Sequence, residues 1–391
     1  MRILHTADWH LGKTLEGRSR LEEQAEFLDE LYRIVKDEKI DVVVMAGDAF
    51  DTVNPPARAE QLFYESLSAL SDKGRRQVVV ISGNHDNPDR LSAASPLTNE
   101  RGIHLIGYPT NDIIRVDVPS ASERLSIAAL AYPSEARLNE VLAETFDEKL
   151  LRDHYDLKIR QTFEHLSHQF QKDTVNIATS HIYVAGGSQT DSERPIEVGG
   201  AYTVAAESLP QAACYVALGH LHRPQTIKRA KTIARYSGSP LAYSFSESGY
   251  AKSVTIVDAH PGAKANWHEI FLSSGKPLVK WKATEGLSQV HEWIDEKRDQ
   301  NAWIDLEIHL TDQLSIEEIH QLRKEHSGFV HIRPKFLESV QIEEQKMQSK
   351  LSIEEQFVKF YERQTGGGLP DEQTVKLFLE LANETQEEEA K

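Results

Sequence analysis

The sequence contains very little cysteine, since Cys214 is the single one among 391 residues. A disulfide within the chain is therefore excluded, and the apolar run AACYVAL favours a buried, inert thiol over a nucleophile. The sequence also has no apolar run long enough to span a membrane, and its first residues, MRILHTADWH, lack the apolar core of a secretory signal. We therefore expect a cytoplasmic protein without a membrane anchor.

Positive charge is also scarce. The chain has 44 lysines and arginines against 61 acidic residues, and its formal net charge is -17. Proteins that bind nucleic acid usually present a basic face, so this balance argues at first against such a substrate. However, acidic side chains that bind metal ions have their charge cancelled by those ions. Net charge therefore neither establishes nor excludes a nucleic-acid substrate.

Short β-type runs alternate with amphipathic helical patterns through the first part of the chain. RILHTAD, DVVVMAG, QVVVISG, TVNIATS and CYVALG are typical of strands, and residues 19–37 and the segment after Pro56 are typical of helices. This alternation predicts an α/β core in which a sheet is buried between helices. After about residue 255, alternating strands flank a helix at 286–299, which predicts a small, separate α+β domain.

The last forty residues show two short amphipathic helices separated by GGGLP. Phe357 and Phe360 lie on the apolar stripe of the first, and Phe378 and Leu379 on that of the second. The two helices either dock on their own domain or bind helices of a partner protein. The predicted domains are 1–270, 275–340 and 350–391.

Five of the predicted strands end in side chains that bind metal ions. In chain order the clusters are Asp8-Trp9-His10, Asp48 with Asp51, Asn84-His85-Asp86, His181, and His220-Leu221-His222. A single Asp at a strand end is usually a turn or cap residue, and a single His is usually structural. In α/β sheets, however, ligands gather beyond the carboxyl ends of the strands, where all five clusters are expected.

The spacing and chemistry of these clusters predict two metal ions. Asp8 and His10 are two residues apart, as are His220 and His222, so both side chains of a pair point the same way in an extended chain. The donors are all nitrogen or oxygen, which suits Mn²⁺, Fe²⁺ or Zn²⁺. They exceed what one ion needs, and two ions about 3.5–4 Å apart, bridged by a carboxylate, form an arrangement that attacks phosphate esters.

The motifs DxH, GDxFD, GNHD, a later isolated histidine and GHxH, in this order, resemble those of the calcineurin-like metallophosphoesterases. ADWHLGK, TDSERPIEVGG and ALGHLHRPQ narrow the resemblance to bacterial nuclease subunits that assemble with the ATPase SbcC. The resemblance covers essentially the whole chain. It implies a four-layer αββα metallophosphoesterase sandwich with a small α+β capping domain and C-terminal helices.

The resemblance also implies roles for the strand-end residues. Asp8, His10 and His222 would hold the first ion, Asn84, His181 and His220 the second, and Asp48 would bridge them. His85 would be catalytic, stabilising the transition state or protonating the leaving sugar oxygen while a water activated by the ions attacks phosphorus. Asp51 and Asp86 would orient a histidine from behind the ligands, although both also suit a turn.

DNA as substrate follows from the resemblance, together with Mn²⁺ as the metal and SbcC as the partner. Candidate phosphate contacts are Lys13, Arg58, Arg90, Arg194 and Arg223, each of which also suits an ordinary surface position. The terminal residues Phe357, Phe360, Phe378 and Leu379 would dock on the SbcC coiled coil. The family further implies a homodimer within a heterotetramer that associates with the nucleoid.

We therefore predict the nuclease subunit of a complex that degrades double-strand ends in the 3′ to 5′ direction and cuts single strands or hairpins, in DNA repair, recombination and replication. One alternative is a phosphodiesterase or phosphomonoesterase of the same fold that acts on small substrates without a partner. The other is a non-catalytic scaffold that recruits the ATPase.

Overall fold

The computed structural model describes residues 1–138, 148–193, 202–311, 313–336, 352–364 and 369–379. The chain divides into two units. The first comprises Met1–Lys280 and Asn301–Ile304, and the second comprises Trp281–Gln300 and Asp305–Lys391. In the described parts of the chain, no helix combines the length and the apolar character needed to cross a bilayer.

Two six-stranded sheets form the first unit. The first sheet has the spatial order Asn266–Phe271, Ser253–Asp258, Arg2–Thr6, Val42–Met45, Gln77–Ile81 and Ile103–Ile106. The second has the order Gln225–Thr226, Ala234–Tyr236, Tyr215–Gly219, Val175–His181, Glu123–Leu130 and Ile114–Val118. Each sheet contains four adjacent parallel strands. Two antiparallel strands extend the first sheet at one edge, and one antiparallel strand lies at each edge of the second. Because parallel strands are covered on both faces, they are almost continuously apolar.

Alternate residues of these strands enter different cores. Ile3, Val79 and Ile177 belong to a cluster that contains residues of both sheets. On the opposite face of the first sheet, its side chains pack with helices Leu21–Asp37 and Ala57–Ser71. The second sheet packs likewise with helix Glu148–Ser167. The layers are therefore helix, sheet, sheet and helix, which confirms the predicted four-layer αββα class.

The structure has a short helix, Glu135–Leu138, and the long helix Glu148–Ser167, while residues 139–147 lie outside the described part. Two further short helices, Pro88–Ser92 and Ser95–Thr98, follow the Asn84-His85-Asp86 turn. Pro stands in the first turn of both, where its missing N–H costs no hydrogen bond.

Most residues of a three-stranded sheet belong to the second unit. Its strands have the order Leu278–Ala283, Trp303–Leu310 and Phe329–Phe336, of which Leu278–Lys280 and Trp303–Ile304 are counted with the first unit. Helices Leu287–Asp295 and Ile316–Glu325 connect the strands in sequence. Trp281 packs edge-on against Trp293 and Phe329, at centroid distances of 5.2 and 5.6 Å. These rings supply apolar area that a small sheet needs in order to be stable.

The two predicted terminal helices are both present, as Ile353–Gln364 and residues 372–379. Phe357 stacks on Phe378 with a centroid distance of 4.1 Å and an interplanar angle of 8°. Phe360 remains 59% exposed. The helices therefore pack on each other through part of their apolar stripes and leave another part at the surface.

Candidate metal centre

The structure brings the five strand-end clusters together at the carboxyl ends of the parallel strands. The two sheets contact each other at Ala46, which follows a strand of the first sheet. Its carbonyl oxygen lies 2.9 Å from Nδ1 of His181, at the end of a strand of the second sheet. A Cβ on Gly219 would lie 1.9 Å from the same oxygen, so only glycine allows the two sheets to approach this closely. The predicted ligands therefore converge because the ends of two sheets converge.

The backbone at these positions is strained. Asp8, His10, Asp48 and His220 have φ values of 55°, 45°, 53° and 105°, in the region that favours glycine. Such a conformation costs about 1–3 kcal/mol for a residue with a side chain, and it persists only where the surroundings enforce it. Backbone hydrogen bonds supply that enforcement, since Asp8 N donates to Gly47 O and His10 N donates to Asp48 O, both at 3.0 Å.

Asp8, His10 and His222 form one group of potential ligands. Each offers an atom within 4.8 Å of the atoms offered by the other two. His10 Nε2 lies 3.1 Å from His222 Nε2, so two ring nitrogens face each other in a buried place. At this distance a proton on one of the two nitrogens, or a cation between them, is required.

Asp8, Asp48 and His181 form a second group with the same 4.8 Å limit. His181 Nδ1 faces the carbonyl of Ala46, and its Nε2 lies 2.9 Å from Asn84 Oδ1 and 3.3 Å from Asp48 Oδ2. His181 Nε2 thus faces two oxygen acceptors. A proton or a cation is therefore required between Nε2 and these oxygens.

Asp48 stands between the two groups. Its Oδ1 accepts a hydrogen bond from His85 N at 2.9 Å. Its Oδ2 lies 3.3 Å from His181 Nε2 and 3.6 Å from His10 Nε2. One carboxylate oxygen therefore faces the ligand atoms of both groups, as a bridging ligand must.

Three buried atoms of the centre have no hydrogen-bond partner among the residues that the structure describes. They are Asp8 Oδ2, His10 Nδ1 and His220 Nε2. Buried polar atoms are rarely left unpaired in proteins, and each such atom calls for an explanation. His220 belongs to neither ligand group, but its ring lies 5.5 Å from that of His181. These nitrogen and oxygen donors fit divalent metal ions.

The pKa values show what the centre holds without ions. Burial raises the pKa of Asp8 to about 7. Burial alone would lower the pKa of His181, but the adjacent Asp48 carboxylate raises it to about 9. The pKa of Asp48 itself is held well below its usual range against burial, chiefly by His181 and His85. Burial lowers the pKa of both His10 and His220, so these two rings are neutral and ready to bind an ion.

His85 lies beside the ligands at the edge of the centre. Its ring centroid is 4.7 Å from that of His10, and its Nδ1 lies 2.7 Å from the backbone oxygen of Asp51. The Asp51 carboxylate accepts from Lys13 Nζ at 2.7 Å and lies 3.5 Å from His10 Nδ1. Burial would raise the pKa of Asp51, but His10 and Lys13 hold it below its usual range. Asp51 thus contacts both His10 and His85.

Asp86 has a different set of partners. Its carboxylate accepts from the backbone N–H groups of Gly83, Ala49 and Phe50, at 2.8, 3.2 and 3.0 Å. It therefore joins two loops of the centre through the backbone, and these bonds explain its burial better than contact with a histidine. Burial, with Asp48 nearby, raises its pKa to about 6.

Several residues of the centre carry no signal in the sequence. Arg137 donates to the carbonyl oxygens of Gly83 and Asp86, at 2.9 and 2.7 Å, and so clamps the turn that carries His85. Gln24 donates to His10 O at 2.8 Å from the helix Leu21–Asp37. No local pattern marks either residue, since both act from elements far away in sequence.

The predicted phosphate contacts differ in their surroundings. Lys13 forms an ion pair with Asp51, and Arg90 forms one with Glu60 at 3.1 Å. Arg58, Arg90 and Arg223 are exposed, and Arg194 lies outside the described residues. These three are therefore the accessible members of the set, although Glu60 already engages Arg90.

Two family models match this chain, and several known proteins are similar to it. The model of the calcineurin-like phosphoesterase family matches residues 1–224, and that of the type 5 capsule protein repressor C-terminal domain matches residues 274–365. The chain is 75% identical over 391 residues to the D subunit of the nuclease SbcCD from Bacillus subtilis (strain 168), covering 100% of both chains. It is 36% identical over 276 residues, 67% of each chain, to the protein of the same name from Rhodobacter capsulatus. The solved structure of TT1561 from Thermus thermophilus aligns with 68% of this chain and 98% of its own, at 13% identity and a TM-score of 0.38.

Proposed function

The chain belongs to the calcineurin-like phosphoesterase family, and from this premise we propose that it is the nuclease subunit of an SbcCD-type complex. The proposed reaction is hydrolysis of DNA phosphodiester bonds. It comprises 3′ to 5′ exonuclease action on double-strand ends and endonuclease action on single strands and hairpins, in DNA repair, recombination and replication. The full-length identity of 75% to a protein named as such a subunit supports this proposal.

The position of Asp48 carries the proposal for a two-ion centre. Its Oδ2 faces His181 Nε2 at 3.3 Å and His10 Nε2 at 3.6 Å, one nitrogen from each ligand group. The residues proposed to hold two divalent ions are Asp8, His10 and His222 on one side, Asn84, His181 and His220 on the other, and Asp48 between them. When bound, the ions, which we propose to be Mn²⁺, would supply Lewis-acid stabilisation of phosphate charge and activation of a water molecule.

His85 is the proposed catalytic side chain. Its Nδ1 is engaged by Asp51 O at 2.7 Å, which fixes the ring and leaves Nε2 for the substrate. The residue is 8% exposed, whereas His10 and His222 are each 1% exposed, so His85 is the histidine of this side that a substrate reaches most easily. From this position Nε2 can hold a proton for the leaving sugar oxygen or donate a hydrogen bond to the phosphate.

The proposal extends to the partners. SbcC is the proposed ATPase partner, docked on the terminal helices through Phe360 and other side chains of the apolar stripes, with Phe357, Phe378 and Leu379 among them. The exposed Arg58 and Arg223 are proposed to contact DNA phosphates. We further propose that two copies of this chain form a homodimer within a heterotetramer that contains SbcC. This complex would act at the nucleoid in the cytoplasm.

Cleavage assays test the proposed activity. The purified chain with Mn²⁺ is incubated with end-labelled duplex DNA and, separately, with a small chromogenic phosphodiester. His85→Ala is expected to lower DNA cleavage by about 10²–10⁴-fold while metal uptake is retained. The matched control is His104→Ala, because His104 lies on the edge strand Ile103–Ile106 and bonds to Gln77 instead.

Each of the other outcomes supports a different function. Intact DNA with turnover of the small ester would indicate a small-substrate phosphodiesterase. No metal-dependent turnover of either substrate would indicate a scaffold. Wild-type rates in His85→Ala would remove the proposed catalytic role of His85 and leave the metal centre as the sole source of catalysis.

A further inference from the structure

A chain of buried polar side chains leads away from His222 on the side opposite His10. His222 Nδ1 lies 2.6 Å from Ser192 Oγ, and Ser192 Oγ lies 2.6 Å from Glu247 Oε1. Lys252 Nζ binds the other oxygen of Glu247. Glu247 is 1% exposed and Lys252 is 8% exposed. A carboxylate and an ammonium are thus buried directly behind one of the proposed metal ligands.

Burying a carboxylate and an ammonium costs desolvation free energy. Replacing a buried ion pair by apolar side chains is often neutral or stabilising, so such a pair is weak evidence of a contribution to stability. Glu247 nevertheless accepts hydrogen bonds from the backbone N–H groups of Tyr243 and Ser244, at 2.9 and 3.1 Å, in addition to that from Lys252. Every contact of its carboxylate is thus made with a donor, which favours the ionised form.

The direction of the hydrogen bonds follows from counting protons. An ionised carboxylate only accepts, so the single hydroxyl proton of Ser192 goes to Glu247. Thr190 Oγ1, 2.9 Å from Ser192 Oγ, gives its own proton to Glu193 Oε2 at 2.6 Å and does not compete. Ser192 therefore offers a lone pair to His222, whose proton must lie on Nδ1.

We infer that Ser192 and Glu247 are positioning residues that hold His222 in the tautomer with a bare Nε2, the form that binds the first ion. The inference rests on the proposed function, because it concerns a ligand of the proposed metal centre. Glu193 contributes to the same end by accepting from His222 N at 2.8 Å, which fixes the backbone. Metal-binding histidines are generally oriented by a partner on the second ring nitrogen, and loss of that partner typically costs 10–100-fold in affinity.

The position of Ser192 also bears on the segment TDSERPIEVGG, which contains the candidate phosphate contact Arg194. Ser192 and Glu193 turn inward and bind His222, and Glu193 is 9% exposed. These two residues are therefore engaged by the protein itself. Residues 194–200 of the segment lie outside the described part of the chain.

Calorimetric titration of the full-length chain with Mn²⁺ tests the inference. Wild-type protein is expected to bind two ions in resolvable steps. Ser192→Ala is expected to weaken one step by about 10–100-fold and to leave the other unchanged, because His222 belongs to one ligand group only. Ser192→Thr keeps a hydroxyl and is expected to bind both ions as the wild type does. Ser248→Ala, which removes an exposed hydroxyl one residue after Glu247, is the matched control.

The outcomes separate this inference from the proposed function. An unchanged isotherm in Ser192→Ala, equal weakening of both steps, or equal loss in Ser192→Thr would overturn the inference. Glu247→Gln is the second variant, and it is expected to weaken the same single step, since an amide can donate to Ser192 and reverse the bond to His222. A wild-type protein that binds two ions but cleaves no DNA would contradict the proposed function and leave the inference intact. A wild-type protein that binds no ion would contradict both.

Discussion

Loading the metal centre is expected to release about 1.5 protons per chain at pH 7. Without ions, burial raises the pKa of Asp8 to about 7, and Asp48 raises that of His181 to about 9 although burial opposes it. At pH 7 Asp8 is half protonated and His181 almost fully protonated, which gives the sum of about 1.5. Metal binding requires both groups to be deprotonated. His10 and His220 add nothing, because burial lowers their pKa and they are already neutral.

The same groups determine the pH dependence of metal affinity. Protons compete with the ions, so affinity must rise as the pH rises. The combined affinity for two ions is expected to increase by about thirtyfold per pH unit near pH 7, and by about tenfold per unit near pH 8, where about one proton remains to be released. As the pH rises through about 9 the dependence is expected to flatten, since His181 then loses its proton.

Calorimetry in two buffers of different ionisation enthalpy measures the release directly, because the observed heat changes in proportion to the protons that the buffer takes up. His104→Gln is the control. It removes a histidine that bonds to Gln77 on the first sheet, and the release is expected to stay at about 1.5 protons. A release below about 0.5 protons at pH 7 would show that both Asp8 and His181 are already deprotonated, and would refute the reasoning.

Three further outcomes are expected. Gly83→Ala should lower the free energy of unfolding by about 1–3 kcal/mol in thermal denaturation, because its Cβ would lie 2.0 Å from a carboxylate oxygen; Gly249→Ala, which has open space, should not. Arg137→Met should slow DNA cleavage by about a hundredfold, since the turn that carries Asn84 and His85 loses its clamp; unchanged rates would contradict this. Truncation at residue 350 should abolish SbcC association in a pull-down, and retained binding would exclude the terminal helices as the docking site.

Much of the fold could be predicted from hydrophobic runs. RILHT, VVVM and QVVVI appear where expected because strands buried on both faces are continuously apolar. An apolar run does not, however, indicate its neighbouring strands, since nothing in it shows which of the two sheets it joins. Glu123–Leu130, a central strand, was not predicted at all. Its sequence ERLSIAAL has few β-branched residues, and pairing with Val175–His181 makes it a strand in spite of its composition.

The proposed ligands could be located in the sequence because they stand at strand ends, and a strand end is a local feature of sequence. Their supporting residues could not. Ser192 and Glu247 are separated by 55 positions and meet only in the fold. Gln24 lies on a helix whose pattern assigns polar residues to solvent, yet it is fully buried because it binds His10 O. Predicting such residues requires the distance between elements, which no local pattern contains.

Gly219 illustrates what the convergence of two sheets means for sequence change. A Cβ there would lie 1.9 Å from Ala46 O. The geometry of the candidate metal centre and the packing of the two sheets therefore both depend on the close approach of Gly219 to Ala46. Gly219 is therefore expected to tolerate substitution in a mutational scan as poorly as His220, its neighbour. Activity alone would not tell the two apart. Thermal stability would, since a larger residue at Gly219 separates the sheets, whereas His220→Ala removes only a proposed ligand.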